Sequence, residues 1–214
     1  MVHTLARLPA DAREAVFDGA FDPAHIPGPF NALPEGRIAD YPWTKAYPDR
    51  FPAFFRLGWN PNGICALMYA QETPIQARET RFGGASCLDS CLECFVMPFP
   101  ETDRRYLNIE INPIGTPHVG IGEGRSDRRV WKEAVPGMTV SVSPPTDWWA
   151  VSFFLPMRFI EAEFGQPLKP GAVARANFYK CCEGIHPHFG TWNPVVAPRP
   201  DFHRPECFGQ LQIV

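Results

Sequence analysis

A chain of 214 residues with 45% hydrophobic and 20% charged side chains has the balance of a folded globular protein, not of a disordered one. Its net charge of −3 comes without any basic run, which argues against nucleic acid or an anionic membrane surface as a partner. No apolar stretch approaches the roughly 20 residues that span a bilayer, and the length is ordinary for one all-β domain, taken as residues 1–214.

The 25 prolines cannot sit in helix interiors or central strands, so they predict long loops between short strands. Residues 1–50 are broken by prolines and read as an irregular lead-in, with a helical turn near Asp11–Phe17. Phe54–Trp59 and Ile64–Gln71 are predicted strands joined by the turn Asn60-Pro61-Asn62-Gly63. Cys91–Met97 and Tyr106–Asn112 form a second predicted pair across the polar linker 98–105. Met138–Val142 and Trp148–Leu155 form a third, around Pro144-Pro145. Arg158–Phe164 is a predicted short helix, stopped by Gly165. Ala174–Cys181 and Gln210–Val214 complete the set. Short strands with turn signals between them, and few helical periods, predict an all-β fold: an antiparallel two-sheet, immunoglobulin-like β-sandwich with long proline-rich loops and one or two short helices.

Strand side chains alternate between faces. In Tyr106-Leu107-Asn108-Ile109-Glu110-Ile111-Asn112, the leucine and isoleucines point to the core, while Tyr106, Asn108, Glu110 and Asn112 share the other face. The same parity puts Leu92, Cys94 and Val96 inward and Cys91, Glu93 and Phe95 outward. In the later strand Ala174, Ala176 and Phe178 read as inward, and Arg175, Asn177 and Tyr179 as outward. Such a face suits a hydroxyl-rich ligand; it is also what any wet face of an antiparallel sheet looks like.

The run Asp89-Ser90-Cys91-Leu92-Glu93-Cys94-Phe95 resembles the Asp-Ser-x-x-Glu-x-Phe strand of the family 9 carbohydrate-binding modules, and is similar in particular to their stand-alone bacterial members. The similarity continues through Tyr106–Asn112 with Gly115, Gly124-Arg125 with Arg128, and Ala176-Asn177-Phe178-Tyr179-Lys180-Cys181. It ends in Trp192-Asn193-Pro194 and the stretch from Pro200 to Gly209. The resemblance implies non-catalytic binding of a mono- or oligosaccharide, in the setting of polysaccharide metabolism. Its slot would lie on the polar strands. Glu93 matches the acidic member of the family's hydroxyl-binding set, and Asn108, Glu110 and Asn177 fall at positions similar to its other polar members. Tyr179 and Lys180 follow on the same strand. His188 lies between that strand and Trp192, whose face is the expected stacking wall. Many relatives carry a second clamp tryptophan six residues before the strand glutamate; Cys87 stands there. Trp59, Phe82 or Tyr179 are the candidates to rebuild that wall.

Two alternatives stand beside sugar binding. A glycoside hydrolase would use Glu93 and Glu110 as its carboxyl pair, and an interaction domain would retain only a degenerate sugar site. No Gly-x-Ser-x-Gly elbow is present. No cofactor is expected. Cys91 and Cys94 have the spacing of a zinc knuckle, but residues three apart on a strand face opposite ways and cannot share a metal. Xylanase-linked relatives hold structural calcium; no loop here has an EF-hand pattern, and no metal ligands are assigned. Charges at Arg7, Asp11, Arg13, Glu14 and Asp18 interrupt any signal-peptide core. With an odd seven cysteines, free thiols in a reducing cytoplasm are the expectation.

Overall fold

The structure, a computed structural model, describes residues 1–214 and consists mainly of strands and loops. In chain order the strands are β1 (Val2–Arg7), β2 (Glu35–Ile38), β3 (Ala53–Asn60), β4 (Gly63–Gln71), β5 (Cys91–Met97), β6 (Tyr106–Ile111), β7 (Pro117–Gly122), β8 (Arg129–Val130), β9 (Thr139–Val142) and β10 (Trp148–Pro156). Helix α1 (Met157–Phe164) follows, then β11 (Val173–Cys182), β12 (His188–Thr191) and β13 (Gly209–Ile213).

Local chemistry accounts for the best-predicted elements. The β3–β4 turn closes with Asn62 N–H donating to Asn60 Oδ1 at 2.9 Å. The turn is the short-range Asx type that asparagine favours. Pro156, fixed in an extended conformation, opens α1, and Gly165 ends it at φ 75°, a left-handed value that glycine adopts without strain. Met157, Phe159, Ile160 and Phe164 are its buried stripe.

One layer runs β8-β7-β6-β5-β11-β13-β1, with β12 and β13 sharing the far edge of β11. The other contains β3, β4, β10 and β9, with β2 at its edge. Between them lies the main core, where Phe55 of β3 stacks on Phe178 of β11 at 3.6 Å. The expected pairs β3–β4, β5–β6 and β9–β10 all form, and all are antiparallel. The expectation of two purely antiparallel sheets is corrected at β1. It pairs in parallel with β13 on one side and with β3 on the other, so the layers join into one curled mixed sheet.

The irregular lead-in is corrected too. It supplies β1 and β2, while Asp11–Phe17 forms no helix. Ala12 and Ala15 instead pack against Cys65, Leu67 and Phe154 on the outside of the second layer. The Ala15 N–H is satisfied by Ser152 Oγ at 2.8 Å. A six-residue strand paired on both edges draws its stability from those pairings, which a local pattern does not show.

The outer face of the first layer is also partly roofed. Trp43, Phe189, Val195, Phe202 and Phe208 cover Phe95, Met97, Tyr106 and Tyr179. Every residue of β5 and β6 is buried as a result. The end of that face carrying Glu93 and Glu110 is buried too, at 2% and 6% exposure.

Candidate functional site

Strand register lays out this face as a grid. One cross-strand row reads Thr191, Tyr179, Glu93, Glu110, His118, on β12, β11, β5, β6 and β7. The row on one side of it runs Phe189, Cys181, Cys91. The row on the other side runs Asn177, Phe95, Asn108, Gly120. Glu93 and Glu110 are therefore direct cross-strand neighbours, the arrangement that brings side chains closest in a sheet.

The partners of the two carboxyls differ. Glu110 Oε1 accepts from Asn108 Nδ2 at 2.8 Å and has Arg128 Nη1 at 3.8 Å. Glu93 meets only the Cys181 thiol, whose Sγ lies 3.0 Å from Glu93 Oε1. Burial raises both carboxyls above the usual range. The charge on Glu110 raises Glu93 further, to well above it, whereas His118, Arg128 and Asn108 hold Glu110 back. The pair thus favours a proton on Glu93 and the negative charge on Glu110.

Three buried polar atoms around this pair have no hydrogen-bond partner in the protein: Asn108 Oδ1, His118 Nε2 and Arg128 Nη1. His118 is fixed by its other nitrogen, Nδ1, 2.8 Å from the Gly84 carbonyl. Asn108 Oδ1 occupies the space over Gly120, where a Cβ would lie 2.5 Å from it. Beside the face opens a cavity of about 670 Å³ whose wall includes Tyr47, Phe189, Arg125, Glu183, Asp201 and Arg204. Arg125 and Glu183, in that wall, both act electrostatically on Glu93, and Phe189 neighbours Cys181 across the β11–β12 pair. Arg125 is held by Asp201 at 3.1 Å. The ring of Tyr47 stands edge-on to Phe189, centroids 4.9 Å apart. Trp43 Nε1 donates to the Ala197 carbonyl at 2.8 Å and pins this strap over the face.

Of the eight residues expected at the slot, Glu93, Asn108 and Glu110 come together. The other five are placed elsewhere or engaged. Asn177 holds the backbone of Asn193, donating to its carbonyl at 2.9 Å and accepting from its N–H at 2.8 Å. Tyr179 faces outward but is stacked under Phe202 at 4.1 Å, its hydroxyl donating to the Phe202 carbonyl. Trp192 lies in the main core against Phe178, Phe55 and His3. Of the substitute walls, Trp59 is also core and donates to the Val214 carbonyl at 2.7 Å. Phe82, half-buried, packs against the main core and lines a second surface cavity, of about 490 Å³, together with His118.

Lys180 and His188 point the other way, into a separate buried polar cluster between the layers. Lys180 Nζ is 2.9 Å from Glu72 Oε2 and donates to His188 Nε2 at 2.9 Å. Trp149 Nε1 also donates to Glu72 Oε2, at 3.2 Å. Burial, then the Lys180 charge, pushes His188 down to about 2, so it is neutral and accepts from the lysine. The side-chain parity that turns Tyr179 outward turns Lys180 inward.

Site residues not read from the sequence are Tyr47, Phe189, His118 and Glu183. His118 had a usable signal: in Pro117-His118-Val119-Gly120-Ile121-Gly122, Val119 and Ile121 alternate inward.

The model for carbohydrate-binding family 9 matches residues 30–213. Among solved structures, a candidate carbohydrate-binding protein from Bacteroides uniformis superposes with a TM-score of 0.79 at 24% identity, covering 100% of this chain and 99% of its own. A carbohydrate-binding module of family 9 from Caldicellulosiruptor kristjanssonii, solved with glucose, gives a TM-score of 0.66 at 12% identity, covering 100% and 96%. The same kind of module with cellotriose gives 0.65 at 12%, covering 100% and 93%. At these identities the likeness is one of fold. No curated protein matches the chain.

Proposed function

The chain belongs to carbohydrate-binding family 9, and from that premise we propose that it binds the end of a mono- or oligosaccharide over Glu93, Asn108 and Glu110, without cleaving it. The observation that carries this reading is the group of unpartnered buried atoms, Asn108 Oδ1, His118 Nε2 and Arg128 Nη1, around the carboxyl pair. Buried polar atoms normally have partners, and a ring of hydroxyls, each both donor and acceptor, would supply them here. A protonated Glu93 and an anionic Glu110 add a donor and acceptors for the same purpose. Tyr47 and Phe189 take the stacking role that Trp192 cannot, because they are the aromatic rings in the cavity wall.

Binding is favoured over hydrolysis by where the carboxyls stand. They project from adjacent positions of one sheet face, on the same side of any ring lying there. A glycosidase needs its two carboxyls flanking the scissile bond. Bound glucose and cellotriose in the C. kristjanssonii modules make these the first ligands to try.

Calorimetric titration with glucose, cellotriose and a panel of other sugars tests the reading. We expect saturable binding by the wild type, its loss in Glu110→Gln, and a drop of roughly tenfold, about 1.4 kcal/mol, in Tyr47→Ala. Turnover of a glycoside that disappears in Glu93→Gln would replace binding with hydrolysis. No heat with any sugar would sink the reading.

A further inference from the structure

Next to the carboxylate pair lies a set of sulfur atoms that sugar recognition leaves unused. Cys91 and Cys181 face each other across β5 and β11, and Glu93 follows two residues along β5 on the same face. One ligand atom from each of the three falls within 4.8 Å of the others, and all three residues are buried. Cys181 Sγ is already 3.0 Å from Glu93 Oε1. Two thiols and a carboxyl converging on one point are a donor set for a thiophilic divalent cation. Zn²⁺ binds thiolates at about 2.3 Å and carboxylate oxygens at about 2.0–2.2 Å, so its tetrahedral sulfur–sulfur edges are roughly 3.8 Å.

Charge points the same way. Glu110 has Arg128 within 3.8 Å and Glu72 has Lys180 at 2.9 Å, whereas the one polar partner of Glu93 is a neutral thiol. A cation held there would balance the charge that Glu93 takes on when it gives up its proton. The other cluster of metal-ligating types, Glu72 with His186 and His188, lacks this vacancy of charge, because the Lys180 ammonium bonds both Glu72 and His188.

We propose that Cys91, Cys181 and Glu93 form a buried Zn²⁺ site on this sheet face. Coordination releases the two thiol protons and the Glu93 proton to solvent, and draws Glu93 away from hydroxyl recognition. Zinc and sugar therefore exclude each other at this floor.

The test uses the full chain, stripped by chelator and free of sugar, titrated with Co²⁺ and then Zn²⁺. The expected result is a thiolate-to-cobalt charge-transfer band that saturates at one equivalent and is bleached by zinc. Cys181→Ser and Glu93→Gln should weaken binding by at least about tenfold, the loss that even outer-shell changes cause. Cys65→Ser, whose thiol lies on the outside of the other layer, should bind as the wild type does. No band, or undiminished binding in Cys181→Ser, overturns the site. Should that variant fail to fold, X-ray absorption at the zinc edge of the unmodified chain decides: two sulfur neighbours are expected, and a shell of nitrogen and oxygen alone overturns the proposal. Neither measurement contains sugar, so a failed zinc site and a failed sugar site are separate results.

Discussion

Glu93 and Glu110 stand directly opposite each other on adjacent strands, both buried, yet only Glu110 forms an ion pair with an arginine, Arg128 at 3.8 Å. Their inequality follows from which neighbours each strand brings: β5 sets Glu93 beside thiols, and β6 sets Glu110 beside Asn108 and the Arg128 loop.

The pH dependence of the free protein should reveal Glu93. Its carboxyl is raised by burial and by the Glu110 charge. A raised carboxyl contributes stability that is fully present below the unfolded value near 4.5 and is lost as pH rises through the folded value. Glu93→Gln cannot ionise, so its urea midpoint should stay flatter than the wild type's above pH 4.5. A parallel decline in both proteins would count against the inequality.

His3 acts in the opposite direction. Burial lowers it to about 4, its Nε2 has no partner, and its ring packs against Phe55 at 4.8 Å. A lowered histidine contributes stability that is present above 6.5 and is lost as pH falls towards the folded value. For His3 that amounts to up to about 3 kcal/mol. His188 and His203, both held down to about 2 by burial first, add to the same acid loss. His3→Phe should therefore move the acid-unfolding midpoint to lower pH, read by circular dichroism. Between pH 4.5 and 6.5 the histidine and carboxyl effects oppose, which is why the variants separate them and the wild-type curve alone does not.

Lys180 and Glu72 should behave as a unit. Both side chains are fully buried and paired at 2.9 Å. Removing one partner leaves an uncompensated buried charge, a cost of about 3–5 kcal/mol. Lys180→Met and Glu72→Gln should each be strongly destabilising, and the double variant should recover most of the loss. Additive losses in a denaturation double-mutant cycle would contradict the pairing.

Gly120→Ala tests how Asn108 is held. The new methyl would lie 2.5 Å from Asn108 Oδ1, so the amide must move and its bond to Glu110 must break. Overpacking of this kind costs roughly 1–3 kcal/mol. Sugar affinity should fall about as far as in Asn108→Ala, with the rest of the fold intact by circular dichroism. Unchanged affinity would mean that the Asn108–Glu110 bond does not organise the site.

Much of the fold was legible because strand parity is a local property. Leu107, Ile109 and Ile111 face the core and Asn108 and Glu110 face away, as their alternation requires. What parity omits is the roof. Tyr179 does point outward, but Phe202, more than twenty residues later, lies flat upon it. Trp192 reads locally like a stacking residue, yet the β11–β12 turn swings it into the core against Phe178. Lys180 carries a legible signal of its own: a lysine at an inward position needs a buried acid, and Glu72 is that acid. Cys91 and Cys94 do diverge, one to each face, but the partner of Cys91 is Cys181, ninety residues away and visible only once β5 and β11 are paired. Tyr47 comes from a stretch without periodicity and is placed by the Trp43–Ala197 bond, which no local pattern announces.

The double parallel pairing of β1 bears on how the molecule is made. Val2 sits beside Gln210, and Ala6 beside Gly58. A ribosome delivers the first of these residues long before its neighbour in β13, so the seam between the layers cannot close until the final strand has emerged. Until then β1 and β11 both present an unpaired edge, the kind that templates association with other chains. Contacts this distant in sequence form slowly. Nascent or heat-opened chains should thus be most prone to aggregate through this seam, and loss of either terminal strand would unfasten both layers together.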